Sequence, residues 1–167
     1  INQNHIGIEA EVSAKLNDMF RLDLGFGYGK WEYTDDAEGT YRDDDGSDRS
    51  YSYSLKGLRV GDMPQVNMIF GLSASPVEGS KIQVLYRSYS KHYADWSPTS
   101  REYNPEEGGG NYNQSWMAPS YGVLDLNANY KLPLDFNGIT PELFVNVRNL
   151  LDEVYVQDAT DNSRYNA

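Results

Sequence analysis

The sequence predicts an all-β fold: an antiparallel up-and-down transmembrane β-barrel segment of about six long strands, with short periplasmic turns and long external loops. Apolar and polar residues alternate over about 10 to 14 positions at a time, whereas strands in globular proteins usually have about 5 to 6 residues. The connections alternate strictly between short and very long, which is typical of barrels that cross an outer membrane. No segment of useful length has the period of a helix.

The first two strands have the clearest pattern. In residues 6–16 the even positions are apolar and the odd positions are polar or Gly, and a β-strand separates these sets onto two faces. Asn17 and Asp18 tolerate the left-handed geometry of a tight turn, and the alternation resumes in residues 20–33. The two segments are therefore expected to pair as an antiparallel hairpin.

Four further strands are expected along the chain. They occupy residues 66–75, 81–93, 124–132 and 142–156, with short turns at 76–80 and 133–140. Residues 34–51 break the alternation with a run of acidic side chains, and residues 94–120 break it with several Pro and Gly. Both stretches are predicted to be long irregular loops, and both lie at the same end of the sheet.

The two faces of the predicted sheet differ in chemistry. One face carries carboxylates, amines and guanidinium groups on most strands, which a dry core does not accommodate but a wet or protein-filled lumen does. The other face is apolar and suits lipid. Aromatic residues near the strand ends are expected to form interfacial girdles. These are Tyr28, Trp31, Tyr33, Tyr89, Tyr93 and Tyr121 toward the long loops, and Phe20 and Tyr130 toward the short turns.

The composition excludes several classes of protein. The 167 residues include no Cys, which rules out disulfides, thiolate nucleophiles and Cys-ligated metals. A formal net charge of -11 opposes binding to nucleic acid. The mean hydropathy of -0.68 resembles that of a soluble protein, yet a membrane barrel averages to similar values because its strands alternate. No residue pattern predicts catalysis, so neither enzyme activity nor a cofactor is expected.

Residues 145–155 resemble the penultimate-strand motif of TonB-dependent outer-membrane receptors. They read Val-Asn-Val-Arg-Asn-Leu-Leu-Asp-Glu-Val-Tyr, where the family typically has Val-Asn-Asn-Leu-Phe-Asp followed shortly by Tyr. Arg148 stands where Asn is usual, and Leu151 stands where Phe is usual. Residues 4–11, 58–64, 86–93 and 121–130 resemble earlier segments of the same family in the same order. The resemblance covers essentially the whole chain and rests on the order and spacing of these motifs.

The resemblance implies that residues 1–167 are part of a barrel of about 22 strands with a plugged lumen. The plug domain and the final strand are expected to lie outside this chain. The whole receptor would sit in the bacterial outer membrane and import a scarce substrate, such as a siderophore–iron complex, cobalamin or an oligosaccharide, with energy from TonB. Its expected partners are outer-membrane lipid, its own plug and remaining strands, the TonB complex acting through the plug, and the small-molecule or glycan substrate.

The residues alone leave two alternatives open. The first is a soluble all-β module, a sandwich or lipocalin-like barrel, that binds carbohydrate or another ligand. It predicts an isolated chain that dissolves in water and unfolds cooperatively, whereas an open six-stranded sheet should aggregate without detergent or its missing strands. The second is a plugless porin or outer-membrane enzyme barrel, which fits the strand pattern but not the ordered receptor motifs.

Candidate binding residues lie in the long loops. Four aromatic side chains are expected to stack on a ligand, namely Trp96, Tyr103, Tyr112 and Trp116. In the acidic loop, Asp43, Asp45 and Asp48 are a weak calcium candidate around Gly46. A bidentate Glu at the expected distance is missing, so a solvated loop is the favoured interpretation.

Overall fold

A computed structural model describes residues 1–42, 44–135 and 137–162. Its elements in chain order are β1 (Gln3–Lys15), β2 (Phe20–Tyr33), β3 (Ala37–Arg42), β4 (Asp48–Tyr53), β5 (Pro64–Ala74), β6 (Ser80–Tyr93), β7 (Asp95–Trp96), α1 (Pro98–Arg101), β8 (Glu102–Tyr103), β9 (Met117–Ala118), β10 (Tyr121–Lys131), β11 (Glu142–Val147) and β12 (Thr160–Asp161). In these ranges no helix is long and apolar enough to cross a membrane.

The long strands form one antiparallel meander. Their order in the sheet is β1-β2-β5-β6-β10-β11, and β9 adds a short extension to β6. Each long strand therefore lies beside the long strand that precedes it in the chain. Two small sheets, β3-β4-β8 and β7-β12, are built from the long connections. The predicted up-and-down antiparallel fold is confirmed.

The strand register aligns apolar positions in rows across the sheet. One row pairs Ala14 with Leu22, Leu22 with Leu72, Leu72 with Val84, Val84 with Leu126, and Leu126 with Val147. These side chains point to one face, because each pair lies directly across the ladder. In the chain as described this face is uncovered: Ile8 is 63% exposed, Val12 59% and Val145 57%. An apolar band thus crosses all six strands.

The opposite face is polar and packed with charge pairs. Asp23 accepts hydrogen bonds from Ser13 at 2.6 Å and from Arg21 at 2.9 Å. Further along the sheet, Arg87 donates to Asp125 in a half-buried ion pair. The same face has a cavity of about 750 Å³ lined by Gly7, Glu9, Gly27, Gly29, Trp31, Asn67 and Tyr89, among others. This is the face assigned to the lumen from the sequence.

The aromatic residues predicted to form a girdle divide between the two faces. Tyr28 lies in the apolar set, opposite Ile8 and Val66. Tyr89 and Tyr121 pair with each other in the polar set, and their ring centroids are 5.2 Å apart. Trp31 also lies on the polar face, where it lines the cavity described above. The prediction of a lipid-facing girdle was therefore wrong for Tyr89, Tyr121 and Trp31, because proximity to a strand end does not determine the side to which a residue points.

Two predictions about loop structure were wrong. Residues 34–51 are not irregular, because β3 and β4 pair as a hairpin around Gly46, whose φ is +83°. Residues 94–120 contain short strands and one turn of helix. The acidic side chains of the first stretch obscured its alternation, and the second has elements too short to show a period.

The sixth strand ends earlier than predicted. We expected residues 142–156, but β11 stops at Val147. Asn149 and Asp152 adopt left-handed backbone conformations, with φ of 51° and 54°, which Asn and Asp tolerate better than most residues. The Asn149 side chain also bonds to both the amide and the carbonyl of Glu153, so the chain turns where the apolar alternation alone would have extended it.

Candidate functional site

The long connections fold into one body at one end of the sheet. We call this body the loop cluster and define it as residues 34–42, 44–63, 94–120 and 157–162. Its core is formed by Leu55 and Leu58 together with Tyr33, the last residue of β2, and Val60 and Trp96 pack against it. The body is joined to the sheet, since the amides of Tyr33 and Val60 donate to carbonyls of Leu58 and Trp31. The loops therefore form a folded surface above the polar lumen face.

Trp96 lies within this core. Its indole Nε1 donates to the Tyr33 hydroxyl at 3.1 Å, and its ring lies 5.5 Å from the Tyr53 ring, measured between centroids. A half-buried tryptophan held by a hydrogen bond and two aromatic neighbours has little surface left for a ligand. This position favours a structural role for Trp96.

Tyr103 and Tyr112 converge on one carboxylate. Both hydroxyls donate to Oδ2 of Asp36, at 3.1 Å and 2.8 Å. Oδ1 of Asp36 accepts the backbone amides of Leu55 and Lys56, each at 2.9 Å. Asp36 therefore ties both tyrosines to the core of the loop cluster. These two aromatic residues, predicted independently, are brought together by the fold, with ring centroids 6.4 Å apart.

This arrangement changes the acidity of the groups involved. Partial burial alone would raise the pKa of Asp36, but hydrogen bonds from the Lys56 and Leu55 amides and the two tyrosine hydroxyls stabilise the carboxylate, and the net pKa is lowered. The hydrogen bond to Asp36 also raises the pKa of the Tyr112 phenol, because losing its proton would leave two anions in contact.

We expect Asp36→Asn to remove an acid-sensitive part of loop-cluster stability. A carboxyl with a lowered folded-state pKa stabilises the fold above its unfolded pKa of about 3.9, and this contribution is lost as pH falls through the folded value. Hydrogen exchange checks this through the protection factors of amides in residues 103–112 between about pH 2 and 6. Wild-type protection should fall in acid, while the variant should be less protected throughout and less dependent on pH. An equal acid dependence in both proteins would contradict the prediction.

Trp116 lies apart from the tyrosine pair. Its backbone amide donates to Oδ2 of Asp161 at 2.8 Å, and its carbonyl accepts the amide of Ala94 at 2.8 Å. The backbone is thus fixed on both sides, while the residue is 48% exposed. Tyr112 is 52% exposed. These two aromatic residues present the most ring surface among the four predicted ones.

A buried arginine holds the second long connection together. Arg101 is 1% exposed, and its Nη1 donates to the carbonyls of Asn111 and Asn113 at 2.7 Å and 2.6 Å. Its Nη2 lies 3.9 Å from a carboxylate oxygen of Asp161. Burial lowers the pKa of Arg101, and the negative charge of Asp161 opposes that effect. The sequence held no indication of this role, because Arg101 lies in a stretch without periodicity.

The calcium candidate remains a prediction. Asp43 lies outside the described residues. Oδ1 of Asp45 accepts the amide and the hydroxyl of Ser47, at 2.8 Å and 2.5 Å, and Asp48 lies opposite Arg42 in the backbone register of the hairpin. Within the described ranges no group of three or more His, Asp or Glu side chains could hold a metal ion.

Two adjoining cavities lie along the three-stranded sheet of the loop cluster. The larger, about 730 Å³, is lined by Ser50, Tyr51, Ser52, Glu102, Tyr103, Asn104, Pro105 and Glu106. The smaller, about 410 Å³, is lined by Glu38, Gly39, Thr40, Ser50, Tyr51, Ser52 and Pro105. They share Ser50, Tyr51, Ser52 and Pro105, and the strand register places Tyr51 on the opposite face of this small sheet from Ser50 and Ser52.

A sheet with one uncovered apolar face, one polar face and long connections folded at one end is a segment of a membrane β-barrel. A family model described as TonB dependent receptor-like, beta-barrel matches residues 2–150. The chain therefore belongs to the TonB-dependent receptor β-barrel family, as its motifs had indicated. Members of this family are outer-membrane transporters rather than enzymes. No curated protein matches the chain.

Proposed function

We propose that this chain is part of a bacterial outer-membrane receptor that imports a scarce substrate with energy supplied by TonB. One observation carries the proposal. The six-stranded amphipathic sheet is continuous with the loop cluster, which the long connections form at one end of the sheet. The apolar face would contact lipid, the polar face would line the lumen, and the loop cluster would face the outside of the cell.

The remaining barrel and the plug are the proposed protein partners. Within the described residues, β1 pairs only with β2, and β11 pairs only with β10. In a membrane the free edges need partners for their backbone N–H and C=O groups, and further strands of the same receptor would supply them. The polar face, with its Arg87–Asp125 pair, would meet the plug, through which the TonB complex would act.

The uncovered apolar face argues against a soluble binding module. A soluble sandwich or lipocalin-like barrel would bury one face of each sheet, whereas this face carries exposed large apolar side chains on β1, β2, β5, β6 and β11. Contiguous exposed apolar surface of this extent is typical of a lipid or protein interface. A membrane location accounts for it without a further domain.

Uptake by whole cells tests the proposed function. Cells with the intact receptor gene, with that gene deleted, and with TonB inactivated would be compared for uptake of radiolabelled siderophore–iron complexes, cobalamin and oligosaccharides. We expect one substrate class to require both the receptor and TonB. The proposal would be contradicted if the uptake of every substrate class were independent of the receptor and if the receptor fractionated outside the outer membrane.

We expect Trp116→Ala and Tyr112→Ala in the intact receptor to weaken substrate binding by about tenfold each. Loss of an aromatic contact typically costs about 0.5 to 1.5 kcal/mol beyond its area term. Titration of the purified receptor with its transported substrate measures the effect. Tyr112→Phe keeps the ring and removes only the bond to Asp36, so it separates ligand stacking from loop support. Unchanged affinity in both alanine variants would remove these residues from the site.

A further inference from the structure

We propose that Asp125, Asn149 and Tyr155 are positioning residues that hold Trp116 on the proposed binding surface from the wall of the lumen. They act through residues 148–162, which we call the strap and whose last part belongs to the loop cluster. The strap is bonded to the lumen wall at one end and to the backbone of Trp116 at the other. The inference rests on the proposed function, because it assigns Trp116 to a surface that binds the imported substrate.

One buried carboxylate fixes the start of the strap to the sheet. Asp125 is 6% exposed, and its Oδ1 accepts the backbone amide of Asn149 at 2.9 Å. Its Oδ2 accepts the Arg87 guanidinium, so one side chain joins β6, β10 and the strap. The amide of Leu150 also donates to the carbonyl of Leu124 at 2.7 Å. A charged acceptor holds the first turn of the strap firmly, because charge-assisted hydrogen bonds are stronger than neutral ones.

The strap then turns back and stacks on the polar face of the sheet. Asn149 closes this turn, since its side chain bonds to both the amide and the carbonyl of Glu153. The Tyr155 ring lies parallel to the Tyr121 ring, with an interplanar angle of 8° and 4.2 Å between centroids. The Tyr121 ring lies 5.2 Å from the Tyr89 ring. This stack attaches the strap to β10 at a second point.

The far end of the strap supports the backbone of the loop cluster. The carbonyl of Ala159 accepts the amide of Asp95 at 2.8 Å, and β12 runs parallel to β7. Asp161 is 6% exposed, and its Oδ2 accepts the amide of Trp116 at 2.8 Å. Its carbonyl accepts the Ser100 hydroxyl at 3.3 Å. The position of the Trp116 backbone therefore depends on where the strap places Asp161.

A small cavity opens the middle of the strap to the lumen. Its volume is about 170 Å³, and it is lined by Arg87, Tyr89, Tyr121, Val123, Tyr155 and Gln157. Only residues 156–158 separate Tyr155 from Ala159, and four residue steps span at most about 14 Å. So short a segment has little room to absorb a displacement. A side chain that fills the cavity would displace the Tyr155 ring, and the strap would carry the displacement toward Trp116.

Hydrogen exchange of the purified intact receptor in detergent, resolved to single amides, tests the positioning role. The amides of Asp95 and Trp116 donate to the strap and are the two reporters. We expect Tyr155→Ala to raise both exchange rates at least tenfold, because the ring no longer holds the strap. Tyr155→Phe keeps the ring and should exchange as the wild type does. Asp125→Asn removes the charged acceptor and should also raise both rates.

Two other amides distinguish a loosened strap from an unfolded loop cluster. The amide of Ser54 donates to the carbonyl of Arg101 at 2.9 Å. The amide of Leu58 donates to the carbonyl of Leu55 at 2.8 Å. Neither bond involves the strap, so both amides should keep their protection in the alanine variant. Tyr130→Ala, at the opposite end of the sheet, is the aromatic control and should leave all four rates unchanged.

A pair of phenylalanine variants tests the connection between the cavity and Trp116. Val123 lines the cavity, and Asn127 lies on the same strand and face, four residues away. Val123→Phe should raise the exchange rates of the two reporter amides at least threefold, because the larger side chain displaces the Tyr155 ring. Asn127→Phe adds the same ring outside the cavity and should leave both rates unchanged.

The inference is overturned if the reporter amides stay protected in Tyr155→Ala, if Tyr155→Phe is equally disruptive, or if Ser54 and Leu58 lose protection to the same extent. Equal rates in the two phenylalanine variants would overturn it as well. Receptor- and TonB-dependent uptake would leave the proposed function standing after any of these results, whereas an absence of receptor-dependent uptake in the wild type would remove the proposed function itself.

Discussion

Arg101→Ala should unfold the loop cluster and leave the six-stranded sheet in place. The substitution removes the donor that holds the carbonyls of Asn111 and Asn113, and it removes a cation 3.9 Å from the Asp161 carboxylate. A lost hydrogen bond to a charged donor costs about 1.5 to 3 kcal/mol, although the Asn111 carbonyl keeps the Ser54 hydroxyl at 2.8 Å. The loss of a positive charge beside the buried Asp161 carboxylate adds to this cost. The loop cluster has a small apolar core. We therefore expect a free-energy loss of this size to exceed the free energy of local unfolding of the cluster.

Limited proteolysis and hydrogen exchange of the intact receptor would measure this effect. Protease cleavage should appear within residues 94–120 of the variant, while amides of β2 and β5 keep their protection. Arg101→Lys keeps the charge but lacks the second terminal nitrogen that lies near Asp161, and it should give an intermediate result. Arg42→Ala is a matched control, because its Nε makes an exposed hydrogen bond to Gly46 at the hairpin tip. Wild-type protection of residues 94–120 in Arg101→Ala would contradict the role assigned to this residue.

Val84→Arg should prevent stable insertion of the receptor, whereas Gln83→Arg should be tolerated. The two residues are neighbours on β6 and point to opposite faces of the sheet. Val84 lies in the middle of the apolar band, between Leu72 and Leu126, and Gln83 lies between Ser73 and Asn127 on the polar face. An arginine on the lipid face near the bilayer midplane costs about 2 to 4 kcal/mol, whereas substitutions on the lumen face have little such cost.

Outer-membrane fractionation and urea unfolding in lipid vesicles would measure this pair of variants. We expect Val84→Arg to accumulate poorly in the membrane and to unfold at a lower urea concentration, and Gln83→Arg to behave as the wild type. Since both variants add the same charge at adjacent positions, a difference between them reports the environment of each face. Equal behaviour of the Val84→Arg and Gln83→Arg variants would mean that the two faces of the sheet have the same solvent environment.

The strands could be predicted from the sequence because their period is local. Residues 20–33 were predicted as one strand, and the structure has β2 at Phe20–Tyr33. Each alternating residue carries the same information about the two faces, so the pattern outweighs single exceptions such as Ile69. The observed register obeys the same pattern, because a shift by one residue would move the whole apolar set to the polar face.

The loop cluster could not be predicted in the same way, because long-range contacts hold it together. Tyr112 meets Asp36 across 76 residues of sequence, and Arg101 is buried against carbonyls that no residue pattern marks. The sequence singled out four loop aromatics as candidates for stacking on a ligand, but it did not distinguish Trp96, which packs against the core, from Trp116, which is half exposed. That distinction depends on the position of Tyr33 and Tyr53, which only the fold determines.

Lipid exposure of alternate residues along β2 tests the central claim most directly. The chain has no native cysteine, so one Cys at a time in this segment would carry a fluorescent label in the intact receptor reconstituted in vesicles. We predict that labels at Leu22, Leu24 and Phe26 are quenched by spin-labelled lipid and that labels at Asp23, Gly25 and Gly27 are not. Equal quenching of both sets, or quenching of neither, would contradict the assignment of one face to lipid and the other to the lumen.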